Sequence, residues 1–217
     1  MIVDERVSCY IKSLTAYNSD FLEKLREKAL EAKVPIIKRE TESFLKTLLL
    51  LKKPKKILEV GTAVAYSSLV MAEVLEGKTK ISTIENYEKR VLEAKKNIAD
   101  SNYSNTIHLI EEDASKVLKE LVEKEEKYDF IFMDAAKGQY INWLEPVIKL
   151  LNKEGVLCSD NVLQGGDIVQ SRYLIERRDR SIHSRLREYL YELTHREELS
   201  TTILSLGDGV ALTVLKK

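Results

Sequence analysis

The chain has 217 residues, 35 Lys+Arg against 35 Asp+Glu for a formal net charge of zero, 44% hydrophobic and 32% charged residues. That composition describes an ordinary soluble globular domain and excludes a disordered chain or a uniformly basic one. Eight Gly and three Pro leave no flexible linker, the longest aliphatic run is Leu48 to Leu51, and the start MIVDERVSCY is charged and polar, so we expect one domain over 1–217 with no membrane span and no signal peptide.

Apolar residues recur at helical spacing from Ser19 to Lys33 (Phe21, Leu22, Leu25, Ala29) and again from Thr41 to Leu51, so residues 1–52 read as a helical N-terminal part. At Lys55 the pattern changes and a core spanning 55–217 begins. KKILEV reads as a strand, followed by a tight turn at Gly61 and a helix in GTAVAYSSLVMAEVL. The alternation repeats with strands at 80–85, 106–111, 128–134 and 155–160, each of the first three followed by a helical pattern. Beyond Asn161 comes a long Arg-rich segment that reads as helical, then TTILSL and VALTVL joined through Gly207-Asp208-Gly209, an antiparallel hairpin. The fold class is therefore α/β, a doubly wound sheet of five parallel strands with an antiparallel end and N-terminal helices. Cys9 and Cys158 form no disulfide framework and no CxxC, which points to a reduced, cytoplasmic protein without zinc.

In such a sheet ligands gather at the carboxyl ends of the strands. Those ends carry Glu59-Val60-Gly61, Glu85, Glu112-Asp113, Asp134 and Asp160-Asn161, an acidic group on all five. A helix cap explains one such residue, but explains five in succession poorly. Gly61 lacks the further glycines of GxGxxG, which weighs against a dinucleotide, while Glu85, 24 residues on, suits ribose hydroxyls. Ribose without pyrophosphate suggests an adenosyl ligand such as S-adenosylmethionine. Asp134, Asp160 and Asn161 are hard oxygen donors of the type that suits Mg²⁺ or Ca²⁺; the alternative is a helix cap at Asp134 and a turn at Asp160-Asn161.

The ordered motifs ILEVGTAVAYSS, TIE, FIFMDAAKGQY, SDNVL and LGDGVALTV resemble the metal-dependent S-adenosylmethionine O-methyltransferases that include catechol and caffeoyl-CoA methyltransferases, over roughly residues 35 to 217. The resemblance implies a seven-stranded sheet with an antiparallel last strand, S-adenosylmethionine and Mg²⁺ or another hard divalent cation as cofactors, and a homodimer. It implies Asp134, Asp160 and Asn161 as metal ligands. For the cofactor it implies Ile37, Glu59, Gly61, Ser67, Glu85, Asp113, Ala114 and Asp134, and for catalysis Lys137 together with Asp134. The family has Gly where this chain has Ala65, so either that position is helical here or the turn is altered.

Six of the eleven arginines, Arg172, Arg177, Arg178, Arg180, Arg185 and Arg187, fall within sixteen residues, interleaved with Tyr173, His183, Tyr189 and Tyr191. Arginine forks and aromatic rings suit single-stranded or loop RNA, while pairing with Glu176, Asp179 and Glu188 on a solvated helix is the plainer reading. With DNVLQGG and MDAAKGQY, this segment is similar to bacterial tRNA 5-hydroxyuridine methyltransferases, which implies the tRNA anticodon loop as partner rather than DNA or a membrane. Two rivals remain: methylation of a small phenolic acceptor, and a silent RNA-binding protein on the same fold. Lys52, Lys53, Lys55 and Lys56 form a second basic cluster, read as solvated residues around Pro54 or as a phosphate contact. Trp143 packs its helix or flanks the acceptor.

Overall fold

The computed structural model describes residues 4–216. Five strands, β1 (Lys56–Val60), β2 (Lys80–Glu85), β3 (Ile107–Glu111), β4 (Tyr128–Met133) and β5 (Leu151–Asp160), run parallel; β6 (Leu199–Leu204) and β7 (Val210–Leu215) complete the sheet, β7 running antiparallel to both β5 and β6. The strand order is β3-β2-β1-β4-β5-β7-β6. The chain winds outward from β1 in one direction and then from β4 in the other, so a crevice opens between the carboxyl ends of these two strands.

Among the described residues eight α-helices accompany the sheet: α1 (Glu5–Leu14), α2 (Asp20–Glu31), α3 (Arg39–Lys52), α4 (Tyr66–Val74), α5 (Glu88–Ala99), α6 (Ala114–Glu123), α7 (Tyr140–Leu150) and α8 (Arg180–His195). Because successive strand residues face opposite sides, Ile57, Phe130, Phe132 and Cys158 join one core with residues of α2 to α5, and Leu58, Val60, Ile131, Met133 and Leu157 join another with α6 to α8. Burial on both faces explains why the central strands read as nearly continuous apolar runs. Cys158 is fully buried in the first core. No helix among the described residues is long and apolar enough to cross a membrane.

Three segments differ from the sequence reading. Strand β5 starts at Leu151 instead of 155, because Asn152–Gly155 bulge out between the pairings Tyr128–Leu151 and Phe130–Val156. The hairpin loop spans 205–209, with Gly207 (φ 58°) and Gly209 (φ 94°) in left-handed conformations. The arginine-rich segment is not one long helix. Gly165 (φ 62°) and Gly166 (φ 107°) kink a first 3-10 stretch at Gln164–Val169, a second at Arg172–Leu174 stands between extended Ser171 and Ile175, and α8 begins only at Arg180. Arg172, Arg177 and Arg178 therefore precede the helix that carries Arg180, Arg185 and Arg187.

Candidate active site

A cleft of about 670 Å³ lies at the carboxyl ends of β1, β2 and β4. Of the residues expected there, Ile37, Gly61, Ser67, Glu85, Asp113, Ala114, Asp134, Lys137 and Asn161 all line it. The floor is set by backbone geometry. Gly61 takes φ 101°, its N–H donates to Ile84 O at 3.1 Å, and Asp134 N–H donates to Val60 O at 3.0 Å, so β1, β2 and β4 converge under one point.

The turn that follows is strained. Ala63 (φ 47°) and Ala65 (φ 65°) both occupy the left-handed region, which costs an alanine on the order of 1 kcal/mol or more. Ala65 is thus not helical; it keeps a glycine-like conformation just before α4. The geometry is fixed by Ala65 N–H to Thr62 O at 2.8 Å and by Ala63 N–H to Glu85 Oε2 at 2.9 Å. Glu85 also accepts from Asn86 N (3.1 Å) and Tyr87 N (3.0 Å). Three backbone donors hold the carboxylate in one orientation, and its remaining lone pair faces the cleft for a ligand hydroxyl.

Asp113 serves two ends at once. Its Oδ1 caps α6 by accepting from Ser115 N at 2.9 Å, and the residue still lines the cleft beside Ala114. Trp143, nearly buried, donates from Nε1 to Ser115 Oγ at 3.0 Å, so it packs α7 against α6 while forming the wall at that end.

Glu59 departs from expectation. It is fully buried, does not line the cleft, and accepts hydrogen bonds from the hydroxyls of Ser67, Ser68 and Thr83. Burial pushes its carboxyl up to about 7 despite those donors. It is a support beneath Ser67 and not itself a contact surface for a cofactor.

At the ends of β4 and β5, Asp134 and Asn161 face the cleft and Asp160 lies just behind them, 2% exposed, with Oδ1 accepting from Asn161 N at 2.8 Å. Burial and the neighbouring Asp134 charge both raise the Asp160 carboxyl above its ordinary range. Two carboxylates and an amide oxygen are a donor set that fits a hard divalent cation. Among the described residues no three His, Cys, Asp or Glu side chains are grouped to hold a metal ion, and Asn161 stands outside those residue types. Lys137 Nζ lies 3.1 Å from Asp134 Oδ1.

Three contributors went unassigned in the sequence. Tyr140, fully buried, donates toward Met133 O (3.0 Å) and Asp160 O (3.3 Å) and accepts from Ala135 N (3.2 Å), binding the two strand ends together. Asp208 lines the cleft from the β6–β7 loop, and Tyr66 reaches it from α4. Each had one signal, its place in a motif: Tyr66 in ILEVGTAVAYSS, Tyr140 at the end of MDAAKGQY and Asp208 in LGDGVALTV.

Of the arginines, Arg185 donates to Gly138 O at 3.1 Å, Arg180 donates to Ile175 O and Tyr173 O, and Arg178 pairs with Glu176 and Asp179. None of the six lines the cleft; Arg172, Arg177, Arg178, Arg185 and Arg187 are exposed and Arg180 is half-buried. The lysines at 52, 53, 55 and 56 sit at the opposite, amino end of β1, where Lys56 pairs with Glu126 and Lys52 donates to Glu154 O.

A family profile described as O-methyltransferase matches residues 12–217. A flavonoid 3',5'-methyltransferase of Vitis vinifera is 30% identical over 96% of this chain and 93% of its own length. A catechol O-methyltransferase of Niastella koreensis is 30% identical over 76% of each. A solved structure from Staphylococcus aureus, a candidate caffeoyl-CoA O-methyltransferase, superposes with a TM-score of 0.88 at 31% identity, covering 98% of this chain and all of that one. On this match the chain belongs to the O-methyltransferase family of caffeoyl-CoA and catechol type, enzymes that draw their methyl group from S-adenosylmethionine.

Proposed function

We propose that this O-methyltransferase transfers the methyl of S-adenosylmethionine to the 5-hydroxyl of 5-hydroxyuridine at the tRNA wobble position, giving 5-methoxyuridine, with a divalent cation at Asp134, Asp160 and Asn161. The observation that carries the acceptor is the bond from Arg185 to Gly138 O, beside Lys137: it ties an exposed cationic segment to the turn that borders the cleft. Arg172, Arg177 and Arg187 are exposed on that segment, and Tyr173 is 82% exposed, which together suit phosphate contacts and stacking on an unpaired base. A wobble base already stands in a loop, so bringing it to the cleft costs little unpairing energy.

The chain's own residues account for the rest of the reading. Gly61 and the left-handed turn after it let the backbone approach the methionine end of the cofactor, and Glu85 accepts from ribose hydroxyls. A hard divalent cation at the strand-end oxygens supplies the Lewis acidity that lowers the pKa of the acceptor hydroxyl. Lys137, three residues after Asp134, takes the acceptor proton in its neutral amine form, the ammonium having no lone pair to accept it. Ile37 and Trp143 shield the reactants from water, and holding them in line is the larger part of the rate gain.

The test is transfer of labelled methyl to tRNA carrying 5-hydroxyuridine, run with Mg²⁺ and with EDTA beside a catechol control. Label in a wobble nucleoside that EDTA abolishes supports the reading. The flavonoid and catechol relatives favour a second one, a small phenolic acceptor. Label in catechol alone would establish that instead, and would return the arginine segment to a solvated surface.

A further inference from the structure

Asn161 is the one candidate cation ligand that has two different atoms to present. Its amide oxygen attracts a hard cation and its NH₂ repels one. The left-handed backbone at Asn161 (φ 59°) fixes where the side chain starts, but not which way the amide turns. Asp208 Oδ2 accepts from Asn161 Nδ2 at 3.3 Å. An ionised carboxylate only accepts, so it holds the NH₂ on its own side and leaves the amide oxygen facing away. The other carboxylate oxygen, Oδ1, accepts from Lys38 Nζ at 2.7 Å.

The loop that carries Asp208 is itself fastened at both ends. Val162 N–H donates to Gly209 O and Leu163 N–H to Asp208 O, each at 3.0 Å, so the loop and the segment after Asn161 move as one piece. A Cβ at Gly209 would stand 2.3 Å from Leu163 Cγ, and one at Gly207 would stand 2.6 Å from Thr41 Oγ1 at the start of α3. Pro35 to Lys38, just before that helix, line the cleft. One carboxylate therefore touches a candidate cation ligand and the segment on the far side of the cleft.

We infer that Asp208 is a positioning residue: it turns the Asn161 amide oxygen toward the cation and, through Lys38, ties the Pro35–Lys38 segment to the same site. This rests on Asp134, Asp160 and Asn161 being cation ligands. Outer partners of this kind orient a ligand and typically matter about 10–100-fold for metal affinity.

The test titrates Mn²⁺ into the whole protein, read by electron paramagnetic resonance without acceptor. Asp208→Ala weakens Mn²⁺ binding about 10-fold or more, with an unchanged circular dichroism spectrum. Asp208→Asn keeps an acceptor oxygen for Asn161 and recovers at least half of that loss on a logarithmic scale. Lys38→Met leaves the carboxylate facing Asn161, so it binds Mn²⁺ at least as tightly as the wild type while S-adenosylhomocysteine binds more weakly. Equal losses in Asp208→Ala and Asp208→Asn would show that charge alone counts and would overturn the inference. Mn²⁺ binding unmoved by Asp208→Ala but lost in Asp134→Ala also overturns it and leaves the cation ligands standing. Binding no weaker in Asp134→Ala than in the wild type removes the cation site, and the inference with it. Should the alanine variant not fold, Asp208→Asn alone decides: Mn²⁺ binding within about threefold of the wild type supports the inference, and a loss of about 10-fold or more overturns it.

Discussion

Gly61 passes under Asp134 so closely that a Cβ on it would stand 2.1 Å from the Asp134 carbonyl oxygen. The end of β1 and the end of β4 are thereby held at a separation that no other residue allows, and the φ of 101° at Gly61 adds backbone strain to the clash. Gly61→Ala is therefore expected to destabilise the fold by about 2–4 kcal/mol and to abolish S-adenosylhomocysteine binding. Chemical unfolding and calorimetric titration check this; a variant that binds the nucleoside normally would show that the strand ends relax more freely than the geometry implies.

Lys137 and Asp134 make an i,i+3 pair at 3.1 Å, with both side chains partly exposed to the cleft. A group that accepts a proton during the reaction contributes about 10²–10⁴ in rate. Lys137→Met should lower kcat within that range while S-adenosylhomocysteine affinity stays within about threefold of the wild type, because the proposed mechanism puts the lysine on the acceptor side. Stopped assays and calorimetry separate the two. A loss confined to cofactor affinity would make Lys137 a structural partner of Asp134 and nothing more.

The alternation of strands and helices was readable because buried parallel strands and amphipathic helices leave different periods in the sequence. The residues at the strand ends were readable for a topological reason, since a doubly wound sheet puts its ligand site there whatever the side chains are. Glu59 was misjudged because nearness to Gly61 in the chain says nothing of depth: it shares the face of Ile57 and points into the core, where Ser67, Ser68 and Thr83 enclose its carboxyl. The late start of α8 was missed because arginine, leucine and tyrosine between Arg172 and Tyr191 recur densely enough to read as one helix, whereas extended Ser171 and Ile175 interrupt the chain before Arg180. Tyr140 and Asp208 act through contacts with residues far away in the chain or on other elements, Met133 O, Asp160 O and Asn161 Nδ2, and such pairings leave no periodic trace.

The broken arginine segment makes its residues unequal. Arg178 spans Glu176 and Asp179 at 3.0 and 3.4 Å, whereas Arg177 and Arg187 have no side-chain ion pair among the described residues. Arg177→Ala and Arg187→Ala should each raise the KM for tRNA and lower the salt dependence of binding by about 0.7–1 in log–log slope, as expected for one phosphate contact. Arg178→Ala should do less, because its charge is already neutralised locally. S-adenosylhomocysteine affinity stays constant in all three. Filter binding at several salt concentrations gives the slopes, and identical slopes in all three variants and the wild type would take RNA off this surface.

Glu59 makes stability depend on pH in a direction opposite to most carboxylates. Its folded-state value of about 7 lies above the ordinary 4.5, because burial outweighs the donors Ser67, Ser68 and Thr83. The folded protein therefore holds a proton that the unfolded chain releases between these values. The stability this contributes is fully present below about pH 4.5 and is lost as pH rises through about 7, on the order of 2–3 kcal/mol in all. Glu59→Gln removes the titration while keeping shape, and the three hydroxyls can rotate to accept from its NH₂. Urea unfolding of both proteins from pH 5 to pH 8 should show the difference in midpoint moving steadily in favour of the glutamine variant. A constant difference across that range would mean that the hydroxyl donors keep Glu59 ionised in the folded state, and Ser67 would then rest on a charge instead of on a neutral acid.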